Sequence, residues 1–181
     1  MLRSLEVLLF VSIVFSCTNA PGSNAKHSSK KTVNTRAGVT KLDTSITGFK
    51  IATILDDTKI IFTARGKDDA ENVEPTTGFF IQGFSGMDDK AAYENLQEFA
   101  YGRIHNQNIA STESETIKMY NTPIGKAIIT TVTLKYKNHK PGFATTATVS
   151  NGKNAILFVG EDFNNGDYTD KFKDTFDSIE F

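Results

Sequence analysis

The sequence predicts an α+β domain in which helices cover the faces of an antiparallel sheet of about six to seven strands, preceded by a disordered tether. β-prone runs are grouped before and after one long helical segment and do not alternate with helices. The run over residues 155–159 is apolar on both faces, which places it at the centre of the sheet. Asn151-Gly152 lies between two such runs and is a strong hairpin signal, because a type I′ turn needs positive φ at both central residues.

Three strands are predicted in the first half of the domain. Residues 49–54 and residues 59–64 are short β-prone runs separated by a turn segment, which is typical of an antiparallel hairpin. Residues 66–77 are polar and are expected to form a loop. Residues 78–84 form the third strand, and its three phenylalanines are expected in the core because phenylalanine is usually buried.

One long helix and four more strands follow. Asp88 or Asp89 can cap a helix in which apolar residues recur at helical spacing through about residue 106. The β-prone runs after it predict a meander whose last strand is the apolar central one. These four strands are expected over residues 116–120, 126–136, 143–150 and 154–160.

A closing helix is predicted at the end of the sequence. Residues 161–166 are rich in turn residues, and Asp167 can cap a helix whose Asp170 lies three positions further on, a start signal similar to a capping box. Complete burial of each apolar side chain on this helix would stabilise its packing on the sheet by roughly 1.5–3 kcal/mol. The apolar stripe consists of Phe172, Phe176 and Ile179.

The first 16 residues, 1–16, resemble a bacterial signal peptide. Arg3 precedes a largely apolar run over residues 7–15, which is too short to span a bilayer as a helix. The segment ending at Cys17 resembles a lipobox, which implies cleavage before Cys17 and acylation of its thiol and of the new amino terminus. Two or more acyl chains give a stable membrane anchor. Ordinary secretion, with cleavage before Cys17 or after Ala20, is the alternative.

Residues 17–44 are predicted to be the lipidated cysteine and a flexible linker. Between residues 18 and 40 the only bulky aliphatic side chains are Val33 and Val39. Such a segment cannot bury enough apolar surface to offset the entropy lost on ordering. Its basic residues either attract the linker weakly to anionic lipid or simply keep it soluble, and the second interpretation is favoured. The globular domain is then expected over residues 45–181.

No catalytic constellation is predicted. The single cysteine lies at the expected anchor, no nucleophile elbow occurs, and the three histidines are scattered: His27, His105 and His139. Oxygen-bearing side chains crowd the loop from Asp162 to Asp170, but Gly166 is one position out of the EF-hand register, which favours a plain loop. Whether calcium binds there stays open. No cofactor and no metal site is therefore expected.

Residues 154–181 resemble the end of PsbP-like domains, because a buried strand over residues 155–162 leads through a short polar loop into a terminal helix over residues 168–181. The similarity extends to the order of elements over residues 45–181. The group includes the extrinsic photosystem II protein, a Ran-binding nuclear protein and many small bacterial lipoproteins. The resemblance implies a PsbP-like fold that serves as a binding, assembly or chaperone-like module, and it implies no catalytic residue.

Together these features predict a membrane-anchored bacterial lipoprotein, attached through Cys17 and facing the periplasm or the cell exterior. Its PsbP-like module would bind or help to assemble another envelope protein and would not be an enzyme. A net charge of −1 gives no reason to expect nucleic acid as a partner. A secreted or anchored small-ligand carrier is the alternative, and a hydrolase with an unrecognised site is less favoured. The carrier would have an apolar cleft lined by Phe79, Phe84, Leu96 and Phe99.

Overall fold

The computed structural model describes residues 30–55, 59–69, 77–96, 98, 109–136 and 142–181. The strands are β1 Lys30–Thr35, β2 Gly38–Asp43, β3 Lys50–Leu55, β4 Lys59–Thr63, β5 Gly78–Ser85, β6 Ile109–Asn121, β7 Lys126–Tyr136, β8 Gly142–Ser150 and β9 Asn154–Asp162. The helices are α1 Asp89–Ala91, which continues into a π-helical turn over Ala92–Leu96, and α2 Thr169–Asp177. A short 3₁₀ turn covers Gly66–Asp69.

Within these described ranges, seven strands form one antiparallel sheet and two form a separate hairpin. The order in the large sheet is β3-β4-β5-β9-β8-β7-β6, and β1 pairs only with β2. The predicted meander of four strands is present as β6-β7-β8-β9. The predicted α+β class, with an antiparallel sheet of this size and helices on its faces, is therefore confirmed.

The strand predicted at the centre of the sheet is central. β9 pairs with β5 on one side and with β8 on the other. Ile156, Leu157 and Phe158 are completely buried, so both faces of β9 are covered. This is the environment that an apolar run on both faces requires.

The helix predicted after residue 88 begins where expected. The side chain of Asp88 accepts a hydrogen bond from the backbone N–H of Ala91 at 2.8 Å, which is an N-cap. Ala92 and Leu96 are buried against the sheet, as their helical spacing predicts. Residues 99–106, which include the remainder of the predicted stripe, lie outside the described residues.

The larger core lies between the sheet and α2. Phe172 and Phe176 are buried on α2, so this part of the predicted stripe is confirmed. Ile179 is also buried, but it follows the end of α2 at Asp177 and does not lie on the helix as predicted. Gly160 of β9 lies beneath Phe172, and a Cβ atom there would come within 2.5 Å of the phenylalanine ring. The missing side chain therefore allows α2 to pack closely on the central strand.

The linker prediction is wrong for residues 30–43, which form the β1–β2 hairpin. Val33 and Leu42 are buried in the larger core. Gly83 of β5 provides the space, because a Cβ atom there would lie 2.4 Å from Oγ1 of Thr35. The composition of this segment suggested disorder because it contains few apolar side chains. In the structure these side chains point inward and pack against apolar residues of the sheet. Residues 17–29 lie outside the described residues, and for them the linker stays a prediction.

Backbone hydrogen bonds tie the same hairpin to the C-terminus. Lys41 and Glu180 exchange two of them, at 2.8 and 2.9 Å. The side chain of Lys30 also forms an ion pair with that of Glu180. The hairpin is therefore part of the folded domain, and the domain boundary expected at residue 45 is too late.

The loop between β9 and α2 is held by Asp162, and the prediction that Asp167 caps α2 is wrong. Asp162 is completely buried, and its two carboxylate oxygens accept hydrogen bonds from the backbone N–H groups of Asn164 and Tyr168, each at 2.7 Å. Asp167 is exposed and accepts only from the side-chain amide of Asn164. One buried carboxylate thus holds both ends of the loop, whereas the side chain of Tyr168, the N-cap of α2, makes no capping hydrogen bond.

Tyr120 connects β6 to α2. Its hydroxyl donates a hydrogen bond of 2.5 Å to Asp177, and Lys173 forms an ion pair with the other oxygen of that carboxylate. Burial of the phenol, followed by the hydrogen bond and the charge of Asp177, raises the pKa of Tyr120 well above its usual value. The protonated phenol is therefore the form that the folded protein favours.

We expect Asp162→Ala to lower the free energy of unfolding by about 3 kcal/mol, because two part-buried N–H groups lose a charged acceptor. Asp167→Ala is the matched control and should change it by less than about 0.5 kcal/mol. Urea unfolding of the two variants gives both numbers. A larger loss for Asp167→Ala would restore Asp167 as the cap and contradict the loop geometry.

Tyr120→Phe should lower the free energy of unfolding by about 1 kcal/mol at neutral pH, because the hydrogen bond to half-exposed Asp177 is lost. The raised folded-state pKa means that this contribution is complete below the unfolded-state pKa of about 10 and declines as the pH rises above it. Unfolding measured from neutral to strongly alkaline pH should show the wild-type advantage shrinking. A constant difference between the two proteins would contradict the assignment.

Candidate functional site

The strand β6 is an edge of the large sheet, and apolar side chains lie exposed along it. Among the described strands it pairs only with β7. Ile117 and Met119 are 59% and 65% exposed. Ile128, directly opposite Met119 on β7, is half-buried. We call Ile117, Met119 and Ile128 the apolar edge.

The direction of these side chains is set by Tyr120. Successive residues of a strand point to opposite faces, and Tyr120 packs against the larger core below α2. Ile117 and Met119 must therefore emerge on the other face. On that face Thr130, opposite Ile117, is buried. Burial thus falls off toward the edge, and Ile117 and Met119 of the outermost strand lie in solvent.

The two halves of β6 differ in regularity. The pairing with β7 shifts register between Ile109 and Ser111 and again between Thr112 and Ser114, after which it is regular to Asn121. Irregular stretches of this kind make an edge a poor template for another strand. The regular stretch carries the apolar edge, so this is the part of β6 that can accept an added strand.

Lys118 lies between the two exposed apolar residues and points to the opposite face. A lysine on an edge strand is a common means of discouraging uncontrolled pairing with other chains. The edge therefore combines an apolar face with a charge, and this arrangement suits a selected partner better than general aggregation.

The structure does not assemble the predicted ligand cleft. Phe79 is in the larger core, with ring centroids 4.7 Å from Phe62 and 4.9 Å from Phe158. Phe84 and Leu96 pack on the other face of the sheet. Because Phe79 and Phe84 are an odd number of residues apart on one strand, they point to opposite faces, so Phe79 cannot line a cleft with Phe84 and Leu96. Phe99, its fourth residue, lies outside the described residues.

Two small cavities lie among described residues. The first has a volume of about 170 Å³, and the ammonium of Lys59 lies 3.9 Å from the centroid of the Phe80 ring in its lining. The second, of about 150 Å³, lies between the hairpin and the β3–β4 end of the sheet. Both are smaller than the several hundred Å³ typical of a site for a small organic ligand. Each is comparable in size to one side chain or one small polar group.

The other residues considered from the sequence are located as follows. Cys17, His27, His105 and His139 lie outside the described residues. Both carboxylate oxygens of Asp162 are used by backbone N–H groups of its own loop. Over the described ranges, no group of three or more His, Cys, Asp or Glu residues is arranged to hold a metal ion. Among the described helices, none has both the length and the apolar character needed to cross a bilayer.

The comparisons with known proteins support the fold. No protein-family model matches the chain, and no curated protein matches it. The crystal structure of the Saccharomyces cerevisiae Ran-binding protein Mog1p is similar, with a TM-score of 0.50 and 11% sequence identity, over 83% of this chain and 94% of that chain. A point variant of Mog1 gives a TM-score of 0.49 and 11% identity, over 83% and 95% of the two chains.

At this identity the likeness to Mog1p shows the fold alone. The resemblance to PsbP-like domains implied this fold, since that group includes a Ran-binding nuclear protein. The fold prediction is thereby confirmed at the level of architecture.

Proposed function

We propose that the protein is a membrane-anchored bacterial lipoprotein of the cell envelope, facing the periplasm or the exterior. Its α+β domain binds or helps to assemble another envelope protein and acts without catalysis. The lipobox-like segment ending at Cys17 supports the anchor. The apolar edge of β6 is the observation that carries the binding function.

An exposed apolar edge favours protein binding for two physical reasons. Ile117 and Met119 leave apolar surface in water, and its burial by a partner would stabilise a complex by roughly 1.5–3 kcal/mol per side chain. The backbone of the regular stretch of β6 can also pair with a further strand. The partner that fits is an extended segment with apolar side chains at alternate positions.

The similar fold of Mog1p adds a limited argument. Mog1p is described as a Ran-binding protein, so a protein of this architecture can serve protein binding. No residue and no partner is carried over from it. The ligand-carrier alternative is less favoured, because Phe79 and Phe84 lie on opposite faces of the sheet and cannot line one cleft.

The anchor is tested by the intact mass of the protein extracted from membranes of its native host, beside a Cys17→Ser variant. We expect the wild-type mass to include acyl chains, and the variant to lose both the added mass and its membrane association. An unmodified, soluble wild-type product would contradict the anchor and leave the secreted alternative.

The binding surface is tested with a photo-crosslinking amino acid at position 119 in the native host. We expect one discrete crosslinked product, because Met119 would lie within the interface. Position 39 is the matched control, because Val39 is also apolar and is 57% exposed but lies on the hairpin.

Alanine variants separate binding from folding. Ile117→Ala with Met119→Ala should reduce the affinity for the captured partner at least tenfold, since two buried side chains are lost. The free energy of unfolding should change little, because both residues are exposed. Equal crosslinking from positions 39 and 119, or unchanged affinity, would rule out the apolar edge.

A further inference from the structure

The cavity between the hairpin and the sheet combines an apolar floor with two cationic side chains. Phe49 and Phe62 are buried at its base. Lys31 and Lys50 are exposed. In the part of the chain that the structure describes, neither lysine forms an ion pair. The full lining is Lys31, Thr44, Phe49, Lys50, Ile51 and Phe62.

The surroundings of this cavity are also basic. The hairpin from Lys30 to Asp43 carries four basic residues and one acidic residue. Glu180 also contacts the hairpin, where the hydrogen bond and charge of Lys30 lower the pKa of Glu180. Asp43 accepts hydrogen bonds from the backbone and the hydroxyl of Ser45. Asp43 and Glu180 are therefore engaged, and the exposed side chains of Lys31 and Lys50 can meet an external anion.

The position of the hairpin relative to the anchor indicates where such an anion comes from. Lys30 follows Cys17 by thirteen residues. Such a length of chain spans at most about 45 Å when fully extended. This step rests on the proposed acylation of Cys17, which would keep the hairpin within that distance of the membrane. Phospholipid headgroups are then the most concentrated phosphate near the cavity.

We infer that this cavity binds the headgroup phosphate of an anionic phospholipid at the bilayer surface. Lys31 and Lys50 supply the positive charge, and the hydroxyl of Thr44 is a further donor in the lining. A volume of about 150 Å³ is too small for an acyl chain but sufficient for a phosphate group. The lipid would therefore remain in the bilayer, with its headgroup held by the protein.

This contact would orient the domain. The cavity is lined by β3 and β4, whereas the apolar edge is on β6 at the other end of the sheet. Six strand spacings of about 4.8 Å separate β3 from β6, which gives about 29 Å. Binding of lipid at the β3 end would thus leave the apolar edge on the side away from the membrane and accessible to a partner.

The test uses the mature chain from residue 17 with Cys17→Ser, which carries no acyl group. Co-sedimentation is measured with vesicles of phosphatidylcholine alone and of phosphatidylcholine mixed equally with phosphatidylglycerol. We expect binding to the mixed vesicles only, and a decrease with added salt. Lys31→Gln with Lys50→Gln should weaken this binding roughly thirtyfold, and Lys31→Arg with Lys50→Arg should preserve it.

The matched control is Lys118→Gln with Lys153→Gln. It removes the same charge from exposed positions outside the cavity, and it should weaken binding by less than about threefold. If both double glutamine variants lost vesicle binding equally, the change in net charge alone would explain the loss, and the proposal would be overturned. Equal binding to neutral vesicles would also overturn it.

Inorganic phosphate separates a lipid site from a site for a soluble anion. We expect phosphate, at the concentration of the accessible phosphatidylglycerol, to leave vesicle binding unchanged. Competition at that concentration would assign the cavity to a free anion and overturn the lipid proposal. Because the protein in these measurements is not acylated, their failure would leave the anchor and the apolar edge untouched. An unmodified Cys17 would remove the anchor and, with it, the argument that the phosphate comes from lipid, whatever the vesicle measurements show.

Discussion

A row of stacked phenylalanine rings runs across the middle of the sheet. These rings position the elements that cover the larger core. Phe62, Phe79 and Phe158 lie side by side on β4, β5 and β9, with centroids 4.7 and 4.9 Å apart. Phe172 of α2 meets Phe158 edge to face at 6.1 Å. Each such pair adds about 0.5–1.5 kcal/mol to the burial of the rings. Gly160 is required beneath Phe172, since a larger residue would push α2 off the stack.

Local sequence signals predicted most of the strands and helices. The elements that were missed depend on contacts between residues distant in sequence. The apolar run of β9 and the spacing of Phe172 and Phe176 on α2 are periodic patterns, and both are confirmed, whereas Ile179 lies beyond the end of α2. The β1–β2 hairpin was missed because its fit depends on Gly83, which is distant in sequence. Strand alternation alone could have shown that Phe79 and Phe84 cannot share a cleft. The exposure of Ile117 could not be predicted, because it depends on which strand lies at the edge.

The functional proposals place different chemistry at the two ends of one sheet. Lysines, a small cavity and the exposed side chains of Ile54 and Leu55 lie at the β3–β4 end, whereas the β6 end presents the apolar edge. A rigid sheet between them would keep a membrane contact and a protein contact at a fixed separation. The bond from Tyr120 to Asp177 then has a positional role, because it attaches the outermost strand to the helix that covers the core.

The central position of β9 also constrains how the chain reaches its native state. β9 joins two sets of strands that do not otherwise pair, β3-β4-β5 and β6-β7-β8. Gly78 pairs with Glu161, so the pairing of β5 with β9 brings together residues separated by more than half of the domain's sequence. Pairing between such distant residues makes folding slow. Because β9 is the last strand in the sequence, the sheet cannot be completed until nearly the whole chain is free to fold.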